Sequence, residues 1–404
     1  MPELPEGVPL PLDGALPNPD VSKGFSAYVH IPFCAVRCGY CDFNTYANLD
    51  FGPNAGVKDF EQSLFSEIEF AARVLGVVSE QSLKPQLPLL NTVFFGGGTP
   101  TMLQAEQLVA VLQRLQATFG IKSDAEVSTE ANPETVTQES LAALQAGGFN
   151  RISFGMQSAV PEVLATLERS HTPGQVRRVV EWAKELALNF SLDLIYGAPG
   201  ETMEQWKASL EAAISLSPEH ISAYGLTIEP GTKMGAQLQR GEISEPDPDE
   251  LADKYLLAEE MLTAAGYQNY EISNWARPGR ESQHNRAYWQ NQNWWGFGPG
   301  AHSHFNGTRF WNVKHPLAYA KRVFAGQTPA QGSEELTLAE QREEQIMLGI
   351  RLREGIRIPN HVSARTLTNL VQDGLIEKTA LQRGNIVLTL RGRLLADTVI
   401  RELW

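Results

Sequence analysis

The chain has 404 residues, 42% apolar and 20% charged, and its 33 Lys and Arg against 47 Asp and Glu give a formal net charge of −14. Such a length and apolar content exclude a small disulfide scaffold and a wholly disordered chain, and predict two or three domains around a buried core. The acidic balance opposes an unspecific nucleic-acid binder, since phosphates are repelled at long range. No run approaches the roughly 18 apolar residues of a membrane helix, and the first twenty residues lack the apolar stretch of a signal peptide, so a cytoplasmic protein is expected.

In chain order, six prolines and no periodic pattern in residues 1–23 predict a flexible leader over 1–24 that packs little. Short β-type runs then alternate with segments of helical period. Tyr28–Ile31 precedes Phe60–Leu75, Thr92–Phe95 precedes Ala105–Phe119, and Ala125–Thr129 precedes Gln138–Ala146. Arg151–Phe154 precedes two helical segments, Pro161–Leu167 and Gln175–Leu188; Ser191–Ile195 precedes Met203–Leu216; His220–Tyr224 precedes Glu250–Ala265.

Six strand-then-helix units over 25–265 imply an α/β fold with a parallel sheet, doubly wound or rolled into a barrel. The unusual residues fall at or just past the ends of successive strands, which in a barrel converge on one mouth, so a partial (βα)6 barrel fits best. Residues 266–335 hold five of the eight tryptophans in 267–311 and read as an irregular aromatic and Gly-rich cap. Residues 336–404 read as a helical region followed by a short hairpin, a small winged-helix-like α+β domain.

All three cysteines, Cys34, Cys38 and Cys41, lie within eight residues directly after the first strand. Disulfide framing is excluded, and three clustered thiols ask for a metal. Zinc would want a fourth ligand, for which His30 is near, although structural zinc sites usually pair two Cys-x-x-Cys knuckles. Buried inert thiols are the bland alternative. An iron-sulfur cubane held by three thiolates would keep one iron open for a small ligand. The spacing Cys-x3-Cys-x2-Cys, with Tyr40 before the last cysteine, resembles the signature of the radical S-adenosylmethionine superfamily.

That resemblance implies a [4Fe-4S] cluster on Cys34, Cys38 and Cys41 and S-adenosylmethionine as a second cofactor. The run Gly96-Gly97-Gly98-Thr99-Pro100, where absent side chains let backbone approach a ligand, resembles the motif for the cofactor's amino group. Glu130 at a strand end suits ribose hydroxyls, Arg169 offers a fork for a carboxylate, and Gln157 and Asp193 can fix polar cofactor atoms. With Tyr28, their spacing resembles the oxygen-independent coproporphyrinogen III oxidases and the related HemW-type haem chaperones, from about Phe25 to the C-terminus.

Two departures separate the chain from the oxidases: Phe43 stands where they carry a further cysteine, and the segment before Tyr28 is shorter. His284-Asn285-Arg286-Ala287-Tyr288-Trp289 matches the H-N-x-x-Y-W motif of the chaperone branch. The resemblance therefore implies haem as a third ligand, with His284 toward its iron and Asn285, Tyr288 and Trp289 beside it. The alternative for His284 is a hydrogen-bonded packing residue. Gly296-Phe-Gly-Pro-Gly-Ala-His302 resembles the family's G-x-G-x-x-A-H segment and implies His302 near S-adenosylmethionine.

The expected function is haem carriage to an unidentified acceptor protein, with anaerobic oxidative decarboxylation of coproporphyrinogen III as the enzymatic alternative. Ten Lys and Arg against eight Asp and Glu in 336–404 are too balanced for a nucleic-acid face. A homodimer and peripheral membrane association are left open.

Overall fold

The computed structural model describes residues 7–20, 24–76 and 89–404. Its first half follows the expected alternation: β1 (Phe25–Ile31), α1 (Glu61–Val74), β2 (Leu90–Gly97), α2 (Ala105–Phe119), β3 (Ile121–Ala131), α3 (Gln138–Ala146), β4 (Arg151–Gln157), α4 (Pro161–Thr166), α5 (Pro173–Glu185), β5 (Asn189–Tyr196), α6 (Met203–Ser215), β6 (His220–Gly225), α7 (Lys233–Gln239) and α8 (Pro248–Ala264). Helix starts are set locally. Thr137, Thr172 and Thr202 each take a backbone N–H three residues on, and residue N3 returns a side-chain oxygen to the cap, closing a capping box on α3, α5 and α6. The helix α7, which the sequence reading passed over, is only seven residues long and starts on the Thr232 cap.

Strands β1 to β6 pair in sequence order and in parallel, and among the described residues no pairing joins β6 back to β1. The expected partial six-strand barrel is thus present. Its strands do not read as the continuous apolar runs of a sheet covered on both faces. Ile152, Phe154 and Met156 on β4, Leu192 and Leu194 on β5, and Ile221 and Ala223 on β6 face α5, α6 and α8 in one apolar core. The alternate positions, Arg151, Ser153, Ser191, Asp193, His220 and Ser222, face inward and line a cavity. A second core lies under α1 and α2 and includes Phe25, Val29, Phe60, Phe95 and Leu108.

The expected irregular cap is instead regular. It comprises β7 (Gln268–Glu271), β8 (Asn274–Ala276), α9 (Gln283–Trp289), β9 (Asn293–Phe297), β10 (His302–Phe305), β11 (Thr308–Asn312), α10 (Pro316–Phe324) and β12 (Ala330–Glu335). These strands extend the barrel sheet at both edges, β8 antiparallel to β6 and β9 parallel to β1, into one sheet of twelve. Trp275 and Trp311 within it are packing residues, among the largest fully buried side chains.

The leader also departs from expectation over residues 7–20. Val8 exchanges two backbone bonds of 2.8 Å with Ser333 on the outer edge of β12, Thr328 N–H donates to the Leu12 carbonyl, and Leu10 and Leu16 pack on the first core. An exposed strand edge has unpaired backbone groups, and this segment covers it. The remainder of the predicted leader, residues 1–6 and 21–23, lies outside the described residues.

Beyond β12, α11 (Leu338–Gly349), β13 (Ile356–Arg357), α12 (Ala364–Gln372), α13 (Lys378–Leu381), β14 (Asn385–Ile386), α14 (Leu390–Leu394) and α15 (Ala396–Leu403) enclose their own core around Ile350, Leu370, Ile386 and Val399. Where a short hairpin was expected there is a bridge between Ile376 and Leu388, and the strand pair proper is β13 with β14. Arg393 docks this unit on α8 through a two-pronged bond to Glu259, at 2.8 and 3.0 Å.

Candidate functional site

Tyr28, Cys34, Cys38, Cys41, Gly97, Gly98, Thr99, Glu130, Gln157, Arg169, Asp193, His284, Asn285 and Tyr288 all line one cavity of about 510 Å³ inside the barrel. The sequence reading brought fourteen of its sixteen site residues to this place.

The loop after β1 carries the cysteines, which are free thiols. The Thr99 hydroxyl donates to Cys34 Sγ (3.7 Å), and Arg169 Nη1 donates to Cys38 Sγ (3.6 Å). Cys41 Sγ lies 3.8 Å from Thr45 Oγ1. Two further bonds join these groups. Asn132 Nδ2 donates to Thr99 Oγ1 (3.0 Å), while Arg169 Nη2 donates to Asn132 Oδ1 (2.6 Å). One amide thereby links the donor of Cys34 to the donor of Cys38.

Close approach at this loop requires the glycines. A Cβ on Gly98 would lie 2.7 Å from the Phe33 carbonyl and 3.1 Å from Cys34 Sγ. Gly97 has φ +109, and a Cβ there would meet the His30 ring at 2.4 Å. Burial pushes the Cys34 thiol up to about 11, so a thiolate there requires a positive charge beside it. A bound metal supplies that charge, and the site fits a thiolate-ligated cluster in this respect. Among the described residues, no three His, Cys, Asp or Glu side chains form a group suited to a single metal ion, as the zinc alternative would need.

Glu130 accepts from the Gly97 N–H (3.0 Å); burial, then the nearby Asp193, pushes its carboxyl up to about 8. Asp193 accepts from Ser153 Oγ (2.7 Å) and Ser222 Oγ (2.8 Å), and burial raises its pKa. Gln157 ends β4 at φ +57, in the left-handed region, where the register with β5 shifts. Tyr28 bonds His30 Nδ1 (2.9 Å), and His30, buried and pushed down to about 4, bonds the Asn44 carbonyl through Nε2.

The other end of the cavity is closed by α9. Glu126 holds that helix in place, accepting from Ser282 Oγ, Gln283 N–H and His284 N–H at 3.1 to 3.2 Å and from Arg151 Nη1 at 3.3 Å. His284 is 2% exposed, and its ring stacks on Phe94. Thr92 Oγ1 donates to Ser26, so it accepts from His284 Nδ1 (2.7 Å), and His284 Nε2 accepts from the Tyr288 hydroxyl (2.8 Å). Both ring nitrogens are therefore engaged, and burial holds the ring neutral, its pKa down to about 3. Asn285 Nδ2 donates to Tyr270 and Glu271.

Two expected residues do not line the cavity. Trp289 follows His284 by five positions, which at 100° per residue turns it about 140° round α9. His302 opens β10 in an exposed position and stacks on Trp311. Conversely, sequence reasoning missed Asn132, Ser128, Arg151, Ser153, His220, Ser222 and Asn274, all of them cavity residues. For Arg151, Ser153, His220 and Ser222 the available signal was the polar-apolar alternation within β4 and β6, which marks a polar inner face.

A strand-end cysteine loop, a glycine turn beside it and polar side chains inside six parallel strands define a radical S-adenosylmethionine protein. The profile of the radical SAM superfamily matches residues 28–213. The chain is 42% identical over 398 residues to the heme chaperone HemW of Mycobacterium tuberculosis, covering 98% of both chains. It is 35% identical over 386 residues to the heme chaperone HemW of Bacillus subtilis, covering 93% of this chain and 97% of that one. Its fold matches that of the coproporphyrinogen III oxidase HemN from Escherichia coli, a radical SAM enzyme, with a TM-score of 0.78 at 24% identity over 94% of this chain and 90% of that one. The chain belongs to the HemW family of radical SAM proteins.

Proposed function

We propose that this protein is a haem carrier. It holds a [4Fe-4S] cluster on Cys34, Cys38 and Cys41, S-adenosylmethionine beside Tyr28, Gly97, Gly98, Thr99, Glu130, Gln157, Arg169 and Asp193, and haem against α9, and it passes the haem to an acceptor protein. The observation that carries this reading is a single cavity walled at one end by three free cysteines and at the other by His284, Asn285 and Tyr288. When bound, the cluster supplies one-electron chemistry and an iron open to a small ligand. The chain's own residues position and tune: Thr99 and Arg169 donate to two of the sulfurs, and hydrogen bonds of this kind set cluster potential.

For His284 to ligate haem iron, Nε2 must exchange the Tyr288 hydroxyl for the metal. Tyr288→Phe is then expected to retain or tighten haem binding, while His284→Ala weakens it. Absorbance titration of haem into anaerobically reconstituted protein tests this. Unchanged haem affinity in His284→Ala would remove His284 from the haem site. Iron and sulfide in the reconstituted protein are the expected metal content; zinc in a colourless protein would remove the cluster.

A further inference from the structure

We propose that Ser128, Arg151 and His220 form a carboxylate-binding site on the barrel floor that takes a propionate arm of the carried haem. The inference rests on the haem reading above and deepens it.

Four side chains that line the cavity, each more than nine-tenths buried, carry a polar atom without a hydrogen-bond partner: Ser128 Oγ, Arg151 Nη2, His220 Nδ1 and Asn274 Oδ1. Buried polar groups are normally paired, so four around one cavity mark a place built to receive something. Three of the four are hydrogen-bond donors. Arg151 Nη1 is spent on Glu126 and the Arg280 carbonyl, which leaves Nη2 without a partner on a residue that lines the cavity. Ser128 lies directly across the strand pair from Arg151. The Tyr270 hydroxyl accepts from Asn285 Nδ2 and pairs with His220 Nε2 (2.9 Å); when it donates its proton in that pair, Nδ1 of the neutral ring carries the hydrogen and is a donor. Burial, aided by the nearby Arg151 charge, keeps that ring neutral.

A guanidinium edge flanked by two N–H or O–H donors matches a carboxylate. Asp193 is directed elsewhere, since its two oxygens accept from Ser153 and Ser222, and burial raises its pKa. Asn274 contributes an acceptor, suited to a water beside the ligand. The carboxylate of S-adenosylmethionine belongs elsewhere. Arg151 begins β4 and Gln157 ends it, so the floor lies roughly 20 Å from the strand end that faces the cysteine loop, at about 3.3 Å per residue. Haem offers two propionates, and α9, where the haem reading places the iron, is tied to Arg151 through Glu126.

The test is titration of haem, haem dimethyl ester and S-adenosylmethionine into the reconstituted wild type, Ser128→Ala and Arg151→Gln. Ser128→Ala removes a hydroxyl that makes no hydrogen bond, so the fold is untouched; Arg151→Gln removes the charge but also loosens Glu126. Wild type is expected to prefer haem over its ester by about tenfold or more, the ratio that 1.4 kcal/mol gives. Both variants should narrow that preference by weakening haem alone, with S-adenosylmethionine affinity unchanged. Equal binding of acid and ester by wild type, or a preference that survives both substitutions, would leave the chamber to water and overturn the proposal while haem carriage stands. Weakened S-adenosylmethionine with unchanged haem would assign the carboxylate to the cofactor and equally overturn it. Absence of any saturable haem binding would overturn the haem reading itself, and this proposal with it.

Discussion

Asn132 shows how much the site depends on residues that carry no chemistry of their own. Its amide orients Thr99 and Arg169, the donors to Cys34 and Cys38. Asn132→Leu keeps the volume but leaves the Arg169 guanidinium short of a partner, at a cost of about 1–3 kcal/mol. We expect a lowered unfolding midpoint together with several-fold weaker S-adenosylmethionine binding by calorimetry; an unchanged affinity would separate the relay from the cofactor site. Gly97→Ala should be harsher, because the backbone at φ +109 and the His30 ring both reject a methyl. At this scale the sequence was legible wherever spacing was unusual, as in the cysteine triplet and the glycine run. Asn132 and Ser128 were not, because each is an ordinary residue whose meaning lies in partners from other strands.

Elements were legible by period, and what escaped was their context. The barrel units fell within a few residues of their expected bounds because α/β alternation is a local pattern. Tyr267–Trp311 looked irregular because its strands are three to five residues long and the barrel strands they join, β1 and β6, are far away in sequence. Glu67 on α1 helps fasten that region. It is fully buried and accepts from the Tyr319 hydroxyl (2.5 Å), Gly298 N–H (2.7 Å) and Asn312 Nδ2 (2.8 Å), joining α1 to α10, β11 and the end of β9. Burial pushes its carboxyl from 4.5 up to about 7. A folded-state pKa raised in this way means that the folded chain holds a proton the unfolded chain has released. Its contribution is therefore full below about pH 4.5 and is lost as pH rises to about 7, a span worth about 3 kcal/mol. Glu67→Gln should be less stable near pH 5 but show a flatter decline in denaturant unfolding between about pH 5 and about pH 8. Parallel declines in the two proteins would contradict the assignment.

For the whole molecule, one sheet of twelve strands joins what the sequence read as barrel and cap, and the C-terminal unit with its own core docks on α8. Among the described residues, no helix is long and apolar enough to cross a membrane. Residues 7–20 belong to this assembly, since Val8 pairs with Ser333 and Leu10 and Leu16 reach the core. Deleting residues 1–20 should lower the unfolding midpoint by several degrees and bare the β12 edge, measurable as concentration-dependent association; an unchanged midpoint would mean that the segment only rests there. A Pro-rich stretch without period concealed this, because its bonds are made through backbone atoms that no side-chain pattern reports. We propose that this barrel carries haem. Haem carriage is tested most directly by following absorbance as haem-loaded, cluster-reconstituted protein is mixed with an apo-haem protein, against a control of free haem. Saturable loading followed by transfer is the predicted result. Failure to bind haem, with coproporphyrinogen III instead turned over in the presence of S-adenosylmethionine and a low-potential reductant, would contradict it.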